Sequence, residues 1–318
     1  MNRDTIEHEP VLLEPVMEFV APKPGEIVLD ATLGHGGHAR RMAGAIGPAG
    51  RLIGLDVDER NIARAHDRLK SGGQEGPRLD IYRANFAELD AVLDALRIPL
   101  VNVILADLGV STDQLLDASS GLTFAEDGPL DMRLDDRLET TAADLINRLP
   151  ESQIADLIWN NAQERFSRRI AKRIVHHRRA GRIKTTAQLV RIICSAVGSP
   201  ERGRPGKIHP ATRTFQALRM EVNHELQNLQ TLLKRAPERL APGGRIGVIS
   251  FHSGEDRIVK QDFLDQQRAG VYFLRTRKPV TASSEETDRN PRARSAKLRV
   301  AERGGLTEGE SAPPGSDG

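Results

Sequence analysis

Residues 27–38 constrain the fold of this chain more than any other segment. A short apolar run at 27–30 ends in an acid, and Gly34, Gly36 and Gly37 follow before a helical pattern begins. This order predicts a buried strand, a tight turn and the N-terminus of a helix. Glycines in such a turn allow backbone N–H groups to approach a ligand without interference from a side chain.

A second apolar run, at 51–56, predicts the next strand and ends in Asp56. Asp56 lies about twenty residues after the glycines, the spacing at which nucleotide-binding sheets place an acid that accepts both ribose hydroxyls. The glycine pattern, G-x-G-G-H, lacks the third glycine of the dinucleotide fingerprint. It fits S-adenosylmethionine better, because that cofactor has no pyrophosphate but needs backbone contacts at its amino-acid end. The alternative is a purely structural turn.

Composition limits the class of protein. The 318 residues can form one large domain or two modest ones, and 46 Lys plus Arg balance 44 Asp plus Glu. The single cysteine, Cys194, excludes an intrachain disulfide and fits a reducing compartment. No apolar run approaches the roughly 18 residues that span a bilayer, and the first residues lack the apolar region of a signal peptide. We therefore expect a soluble, cytoplasmic protein without a membrane segment.

Strand patterns alternate with helical patterns along much of the chain, which predicts an α/β fold with a mostly parallel sheet. Ligands of such sheets bind at the C-terminal ends of the strands. Phe86 follows the third strand, so its ring can cover an adenine or belong to the core. Beyond the two strands already described, we predict strands at 79–83, 101–107 and 245–251, and an antiparallel edge pair at 271–274 and 297–301.

Residues 111–208 lack strong strand patterns and predict a helical insertion. Apolar residues recur every four positions from Ile154 to Ile174, which predicts a single helix with one apolar stripe. From 165 to 184 the chain has nine cations and no acid. This charge pattern favours a phosphate-binding surface over an ordinary solvated helix face. Thr185 or Thr186 can cap the next helix.

Three further segments complete the chain. Apolar spacing over 211–234 predicts one long helix. A polar cluster at 252–257 follows the fifth strand, where this type of sheet presents its active site. Residues 304–318 are rich in Gly, Ser and Pro without periodicity, which predicts a disordered tail.

Eight motifs, in order, make the chain resemble a known family, the bacterial 16S ribosomal RNA cytosine-N4 methyltransferases of the RsmH (MraW) type. The resemblance runs from His8 to about Arg303. The first four motifs are H-x-P-V-L-L at 8–13, G-x-G-G-H at 34–38, D-L-G-V-S at 107–111 and D-G-P-L-D-M-R at 127–133. The others are E-R-F at 164–166, H-P-A-T-R-T-F-Q-A at 209–217, F-H-S at 251–253 and N-P-R-A-R-S at 290–295.

The resemblance implies a class I S-adenosylmethionine-dependent methyltransferase, which is Rossmann-like with a mostly parallel sheet and an inserted helical domain. It divides the chain into a methyltransferase domain at 1–110 and 209–303, a substrate-recognition insertion at 111–208 and a tail at 304–318. The implied reaction methylates N4 of one cytidine in 16S ribosomal RNA, near the ribosomal P site. Together with Gly34, the positions that match the family's cofactor contacts are Gly36, Gly37, His38, Asp56, Phe86, Asp107 and Gln114.

One position departs from the family's pattern. Gly254 stands where the family usually has leucine. The glycine can loosen its loop, and it weakens the case for any role of Glu255.

The implied chemistry needs a proton acceptor, because the exocyclic amine of cytosine is a poor nucleophile and loses a proton during or after methyl transfer. The candidates are Asp107 first and Asp131 second, with His252 as a positioning or proton-relay residue. The alternatives are that Asp107 binds only the amino group of the cofactor, that Asp131 caps a turn or helix, and that His252 is a satisfied strand-end histidine.

Recognition of the RNA needs stacking and phosphate contacts. No aromatic residue directly follows Asp107, so a flipped base needs a partner from elsewhere, with Phe124, Phe166 and Phe251 as candidates. The candidate phosphate contacts are Arg165, Arg169, Arg173, Arg213, Arg292 and Arg294.

The expected partners are 16S ribosomal RNA and the small ribosomal subunit, and a homodimer is also compatible with the sequence. The histidine pairs at 35 and 38 and at 176 and 177 lack cysteines or acids at ligand spacing, so we expect no metal site. Two other functions remain open. One is a methyltransferase acting on DNA or a small amine, although the basic insertion disfavours a small amine. The other is a non-catalytic RNA-binding protein, which the intact glycine turn and Asp56 disfavour.

Overall fold

The structure is a computed structural model that describes residues 10–70, 76–201 and 208–305. Its strands are β1 (Ile27–Asp30), β2 (Arg51–Asp56), β3 (Arg78–Arg83), β4 (Val101–Asp107), β5 (Leu240–Ser250), β6 (Tyr272–Leu274) and β7 (Lys297–Arg303). They form one sheet in the order β3-β2-β1-β4-β5-β7-β6. The first five strands along the chain are parallel, and β7 runs antiparallel to both β5 and β6. The predicted mostly parallel sheet and its antiparallel edge pair are confirmed.

The fifth strand begins earlier than the sequence predicts. The glycine-rich segment at 241–244 was expected to be a turn before a strand at 245–251, but β5 already pairs with β4 at Leu240. The register shifts between Val101 and Val103, and Gly243 has a φ of 72°. The segment is therefore a bulge inside the strand, because glycine permits the positive φ that such an irregularity requires.

Helices cover both faces of the sheet, which explains why its strands are nearly continuous apolar runs. One face carries α1 (Leu13–Val20), α2 (Gly37–Ile46) and α3 (Glu59–Lys70), which pack on Val28, Val103 and Leu105. The other face carries α4 (Leu89–Ala95), α11 (Glu225–Arg239) and α12 (Ser253–Arg268), which pack on Leu29, Ile104 and Ala106. Alternate strand residues thus point to opposite layers.

A second apolar core lies among α5 (Thr112–Leu116), α6 (Ala142–Arg148), α7 (Glu151–Ala162), α8 (Ser167–Arg178), α9 (Thr186–Val197) and α10 (Thr212–Val222). Thr185 caps α9 through a capping box with Gln188, which confirms that part of the prediction. Helix α10 contributes Phe215 and Leu218 to this core, although the sequence assigns it to the second part of the methyltransferase domain. The division into domains remains a prediction.

The prediction of one helix from Ile154 to Ile174 is wrong, because α7 ends at Ala162 and α8 begins at Ser167. Gln163 between them has a left-handed φ of 51°, and the Glu164 carboxylate accepts a hydrogen bond from the Phe166 N–H. The four-residue spacing fits two consecutive helices that face one core as well as it fits one helix. No glycine or proline marks the break.

The prediction of one helix over 211–234 is wrong for the same reason. Helix α10 ends at Val222 and α11 begins at Glu225. His224 adopts a left-handed φ of 51°, again at a residue that gives no sequence signal for it. The two helices pack on different cores, but the three- and four-residue spacing of their apolar residues continues across the break, so the spacing alone does not reveal it.

Two sequence predictions lie outside the described residues. His8 of the first motif is one, and positions 306–318 of the tail are the other. Gly304 and Gly305, which begin the tail, are described and have no regular secondary structure. Within the described ranges, no helix is long and apolar enough to cross a membrane.

Candidate active site

A cavity of about 400 Å³ lies at the C-terminal ends of β1, β2 and β4. Its size is within the range of small-molecule and cofactor sites. The glycine turn at 31–38, residues 55–57 and 84–88, and the loop at 107–111 form its wall on the sheet side. Residues within 134–138 and within 223–228 at the α10–α11 junction also line the cavity. The second break that the sequence did not predict is thus part of the cavity.

The glycine turn lies between β1 and α2 and presents its backbone to this cavity. Gly34 and Gly36 have φ values of 51° and 74°, which other residues rarely adopt. A Cβ atom on Gly37 would lie 2.4 Å from the Pro10 Cγ, so no larger residue fits there. Gly34, Gly37 and His38 line the cavity, whereas Gly36 packs against Ala65 of α3.

Asp56 is held rigidly at the end of β2. Its two carboxylate oxygens accept hydrogen bonds from the Gly34 and Asp58 N–H groups, each at 2.8 Å. The Asn61 amide lies 3.3 Å from both oxygens and also lines the cavity. Burial raises the pKa of Asp56, which these N–H groups and Asn61 partly offset. Nothing in the sequence around Asn61 distinguishes it from an ordinary helix residue, so its place at the cavity is seen only in the structure.

Gln114 lines the cavity from α5 and connects two loops. Its side-chain oxygen accepts from the Ser111 N–H at 2.9 Å, and its amide donates to Asp58 at 3.0 Å. Asp58 therefore fixes the orientation of Gln114, a role that the sequence did not indicate.

Phe86 lies between the sheet core and the cavity, so its contact with an adenine stays a prediction. Its ring packs partly on the sheet core and also lines the cavity. Leu108, Leu134 and Leu138 line the same cavity, so its surface includes several apolar side chains that suit a planar base.

Asp107 lies at the end of β4, with 26% of its side chain exposed to the cavity. Its backbone N–H donates to the Thr32 hydroxyl, and its Oδ1 has no hydrogen-bond partner among the described residues. Burial raises the pKa of Asp107 to about 7, with Asp30 and Glu255 adding to the effect and Arg292 opposing it. A carboxylate in this state is stabilised by a bound cation.

Arg292, predicted to contact RNA phosphate, lies in the cavity wall near Asp107, and its contact with RNA stays a prediction. Its guanidinium donates to the carbonyl of Val110 in the loop that follows β4. Burial lowers the pKa of Arg292, and attraction to Asp107 opposes this.

His252 does not line the cavity; it caps α12. Its Nδ1 accepts from the Gly254 and Glu255 N–H groups at 3.2 and 3.3 Å. Its Nε2 lies 3.1 Å from Glu255 Oε1, in an approach too bent for a hydrogen bond. Gly254 belongs to the first turn of α12 and not to a loose loop, and Glu255 reaches the cavity.

Asp131 is also absent from the cavity wall. Its carboxylate pairs with the Arg133 guanidinium through bonds of 2.7 and 2.8 Å and accepts from the Arg133 N–H. Its carbonyl accepts from the Ala142 N–H at the start of α6. Asp131 thus stabilises a turn, which is the alternative considered for it, and its carboxylate oxygens are already bonded to Arg133.

The cationic residues from 165 to 184 differ in their surroundings. Arg178 donates to the carbonyls of Ile146 and Leu149, and Arg182 pairs with Asp144. The other seven are exposed and form no ion pair with an acid in the described parts of the chain; they are Arg165, Arg168, Arg169, Lys172, Arg173, Arg179 and Lys184.

Arg213 and Arg294, the last two candidate RNA contacts, are both exposed on the surface. Arg213, exposed on α10, lies beside the α7–α8 corner and donates to the Gln163 carbonyl at 3.4 Å. Arg294 is exposed just before β7.

The three aromatic candidates for base stacking lie in different environments. Phe124 packs on His209 and Phe215, with ring centroids 4.7 and 4.9 Å away. Phe166 lies under the guanidinium groups of Arg165 and Arg169. Phe251 contacts Gly109, which lines the cavity; a Cβ on Gly109 would lie 3.4 Å from this ring. Phe251 is thus next to the cavity wall, although it does not itself line the cavity.

Glu225, His252 and Glu255 bring potential metal ligands within 4.8 Å of one another. The sequence gives no sign of this cluster, since Glu225 belongs to α11 whereas His252 and Glu255 lie at the start of α12. The Arg219 guanidinium binds Glu225 through bonds of 2.7 and 2.9 Å. An arginine therefore already supplies positive charge to the cluster, which is better described as an ion-pair network.

The sheet, the glycine turn and the acids at the ends of β2 and β4 define a class I S-adenosylmethionine-dependent methyltransferase. The model of the MraW methylase family matches residues 5–304, and the chain belongs to this family. A ribosomal RNA small subunit methyltransferase H from Acidobacterium capsulatum is 46% identical over 300 residues, covering 93% of this chain and 98% of the relative. One from Koribacter versatilis is 45% identical over 304 residues, covering 94% and 95%.

Solved structures share less with this chain. An rRNA methylase from Streptococcus thermophilus is 12% identical with a TM-score of 0.44, and the match covers 94% of this chain and 99% of that protein. Aeropyrum pernix fibrillarin with bound S-adenosyl-L-methionine is 10% identical with a TM-score of 0.38, and the match covers 88% and 67%.

Proposed function

We propose that this methyltransferase transfers a methyl group to the N4 amine of one cytidine in 16S ribosomal RNA of the small subunit, near the P site. The observation that carries the proposal is that Asp107, Asp56 and the glycine turn line one cavity in a member of the MraW methylase family. The names of its relatives, small-subunit RNA methyltransferases, support the choice of substrate.

The cavity fits S-adenosylmethionine at both ends. Asp56 would accept the ribose hydroxyls, with Asn61 beside it, and Phe86 would contact the adenine. Asp107 has an oxygen without a hydrogen-bond partner in the described structure, which suits the cationic methionine end. When bound, the cofactor supplies an activated methyl group on a sulfonium.

The chain's own residues would orient the nucleophile and exclude water. The target amine needs an acceptor for its proton, and Asp107 was the first candidate from the sequence. However, the same Asp107 carboxylate is the group proposed above to bind the cationic methionine end of the cofactor. His252 would act on the site through Glu255, because its ring does not reach the cavity.

The exposed cations of α8 would bind the RNA backbone. Arg169 and Arg173 on α8, and Arg165 just before it, have no acidic ion-pair partner in the described structure, and Arg213 lies beside the same α7–α8 corner as Arg165. A cationic surface of this kind supplies affinity for phosphates without selecting a sequence. The choice of one cytidine must therefore come from the cavity.

The test is to incubate the protein and labelled S-adenosylmethionine with 16S RNA, assembled small subunits or DNA. We expect label in ribosomal RNA that co-elutes with N4-methylcytidine after digestion to nucleosides, and the comparison of RNA with subunits identifies the true substrate. Label on DNA alone would contradict the proposal. Bound RNA without label would favour the non-catalytic alternative.

A further inference from the structure

Glu255 is a buried carboxylate at the cavity wall to which the reaction described above gives no direct role. It lies in the first turn of α12, directly after β5, and is 3% exposed. Both Glu255 and Asp107 line the cavity, from the ends of adjacent parallel strands. The inference drawn from it rests on the proposed function, because it concerns recognition of the target base.

The position of the Glu255 carboxylate is fixed by its neighbours. Its Oε2 accepts from the Phe251 and His252 N–H groups at 2.9 and 3.3 Å. The Nδ1 of His252 accepts two backbone N–H groups and therefore carries no proton in the neutral ring. The ring proton must be on Nε2, which lies 3.1 Å from Glu255 Oε1. This contact is bent, so Oε1 keeps lone pairs for another donor.

The charge of Glu255 differs from that of Asp107. Burial raises the pKa of Glu255, but His252, the Phe251 N–H and Arg219 outweigh it and lower the pKa overall. The pKa of Asp107 is instead raised to about 7. Glu225 adds a further carboxylate and is neutralised by Arg219. Two carboxylates with separated pKa values in one site commonly have different roles.

We propose that Glu255 recognises the exocyclic amine of the target cytosine and accepts its proton, which leaves Asp107 to the cationic end of the cofactor. An amine N–H donates to Oε1. As the nitrogen lone pair forms the new bond to the methyl carbon, the bond from that carbon to sulfur breaks and its electron pair stays on sulfur. The N–H proton passes to Oε1. The products are the methylated amine, a neutral thioether and a protonated Glu255.

The same contact would distinguish cytosine from uracil. Uracil carries an oxygen in place of the amine, and two acceptors facing each other leave a buried polar group unpaired. A site built to accept a hydrogen bond rejects an analogue that lacks the donor. Glu255 is thus a specificity residue as well as a catalytic one.

The first test compares Glu255→Gln with Glu255→Asp in single-turnover methylation of small subunits. Gln keeps the side-chain length and an oxygen for the Phe251 and His252 N–H groups, but it is not a base. Asp is shorter but keeps the carboxylate. If Glu255 accepts the proton, Gln should lower the rate by about 100-fold or more and Asp by about tenfold. If Glu255 only caps α12, the order should reverse, and this result would overturn the proposal.

The matched control is Asp256→Asn, which neutralises the next acid along the helix. Asp256 pairs with Lys297 and Arg299 and does not line the cavity. The control should keep the wild-type rate. S-adenosylhomocysteine affinity and the melting temperature identify a variant that fails to fold. If Glu255→Gln fails to fold, Glu255→Asp decides, because its carboxylate should keep the preference for cytidine over uridine that the binding test below measures.

The second test measures binding and not turnover. With S-adenosylhomocysteine present, the wild-type protein should bind subunits that carry the mapped target cytidine at least about tenfold more tightly than subunits with uridine there. Glu255→Gln should reduce this ratio to within about twofold, because an amide can donate to the uracil oxygen. An unchanged ratio would contradict the proposal. If the wild-type protein labels no small-subunit RNA, the proposed function fails instead.

Discussion

Asp107 Oδ2 lies 3.7 Å from His38 Nε2 across the floor of the cavity. His38 belongs to the first turn of α2, directly after the glycines, and Asp107 ends β4. The two side chains therefore meet at the C-terminal edge of the sheet, where β4 lies next to β1, the strand that leads into α2. Asp30, another buried acid with a pKa raised to about 7, ends the adjacent strand β1 but does not line the cavity. The Asp107 carboxylate makes this side of the cavity suited to a cation.

Replacing Asp107 by Asn should preserve the fold and lower methyl transfer. The amide is nearly the same size, but it cannot neutralise the cationic end of the cofactor. We expect kcat/KM for S-adenosylmethionine to fall by about two orders of magnitude or more, because one partner of an enclosed charge pair is removed. Steady-state kinetics measure this loss, and circular dichroism checks the fold. Normal turnover by Asp107→Asn would remove this residue from the mechanism.

The affinity for S-adenosylmethionine should depend on pH around neutrality. Since the pKa of Asp107 is raised to about 7, the free protein holds a proton there at lower pH, and a cationic ligand must displace it. The affinity should therefore rise with pH up to about 7 and level off above it, with a slope of up to about tenfold per pH unit. Calorimetry in buffers of different ionisation enthalpy should detect the released proton.

The control for this pH dependence is again Asp107→Asn. The slope should be largely lost in this variant, and any remaining slope is expected from Asp30, which also has a pKa near 7. A variant with the full wild-type slope would show that a different group titrates.

Asn223 should stabilise the wall that the insertion contributes. Its Oδ1 accepts from the Leu134 N–H at 2.7 Å, and its amide donates to the Met132 carbonyl at 2.8 Å. Asn223→Ala leaves these backbone groups unpaired, which costs roughly 1–3 kcal/mol for each group. Urea unfolding should detect the lost stability, and S-adenosylmethionine should bind more weakly. Asn160→Ala, at an exposed position on α7, should change neither measurement.

His252→Asn separates helix capping from an effect on Glu255. Asparagine is among the best N-cap residues, so the free energy of unfolding should stay within about 1 kcal/mol of the wild-type value. The variant removes the imidazole Nε2 that lies 3.1 Å from Glu255 Oε1. We expect kcat to fall by about tenfold, with KM for the cofactor unchanged. A variant with wild-type kcat would limit His252 to capping.

The features that the sequence predicts are those that depend on residues close together along the chain. The glycine turn, the acids at the ends of β2 and β4, and Phe86 all follow buried strands, and parallel strands bring their C-terminal ends to one edge. The sequence alone therefore predicts that Asp56, Asp107 and Phe86 lie near one another, and all three line the cavity.

The remaining features depend on contacts between distant segments. Gln163 and His224 adopt left-handed conformations without glycine, so two helix breaks had no local signal. Asn223 forms hydrogen bonds with a loop about ninety positions away, and Asp131 bonds to Arg133 and to the first residue of α6. The orientation of Glu255 depends on the capping geometry of His252. Spacing along the chain does not encode such pairings.

The exposed cations of α8, together with Arg165 just before it, should control RNA affinity without controlling specificity. Arg165→Ala, Arg169→Ala and Arg173→Ala together should weaken binding of small subunits and lower the slope of log K against log salt by about two to three, because each of the three phosphate contacts contributes about 0.7–0.9 units. The ratio between cytidine and uridine targets should not change, since phosphate contacts carry no base identity. Fluorescence anisotropy at several salt concentrations measures both quantities. The control removes three exposed cations elsewhere in the chain, Lys260, Arg277 and Lys278. An equal loss of RNA affinity in this control would show that binding follows total charge and not the cations at α8.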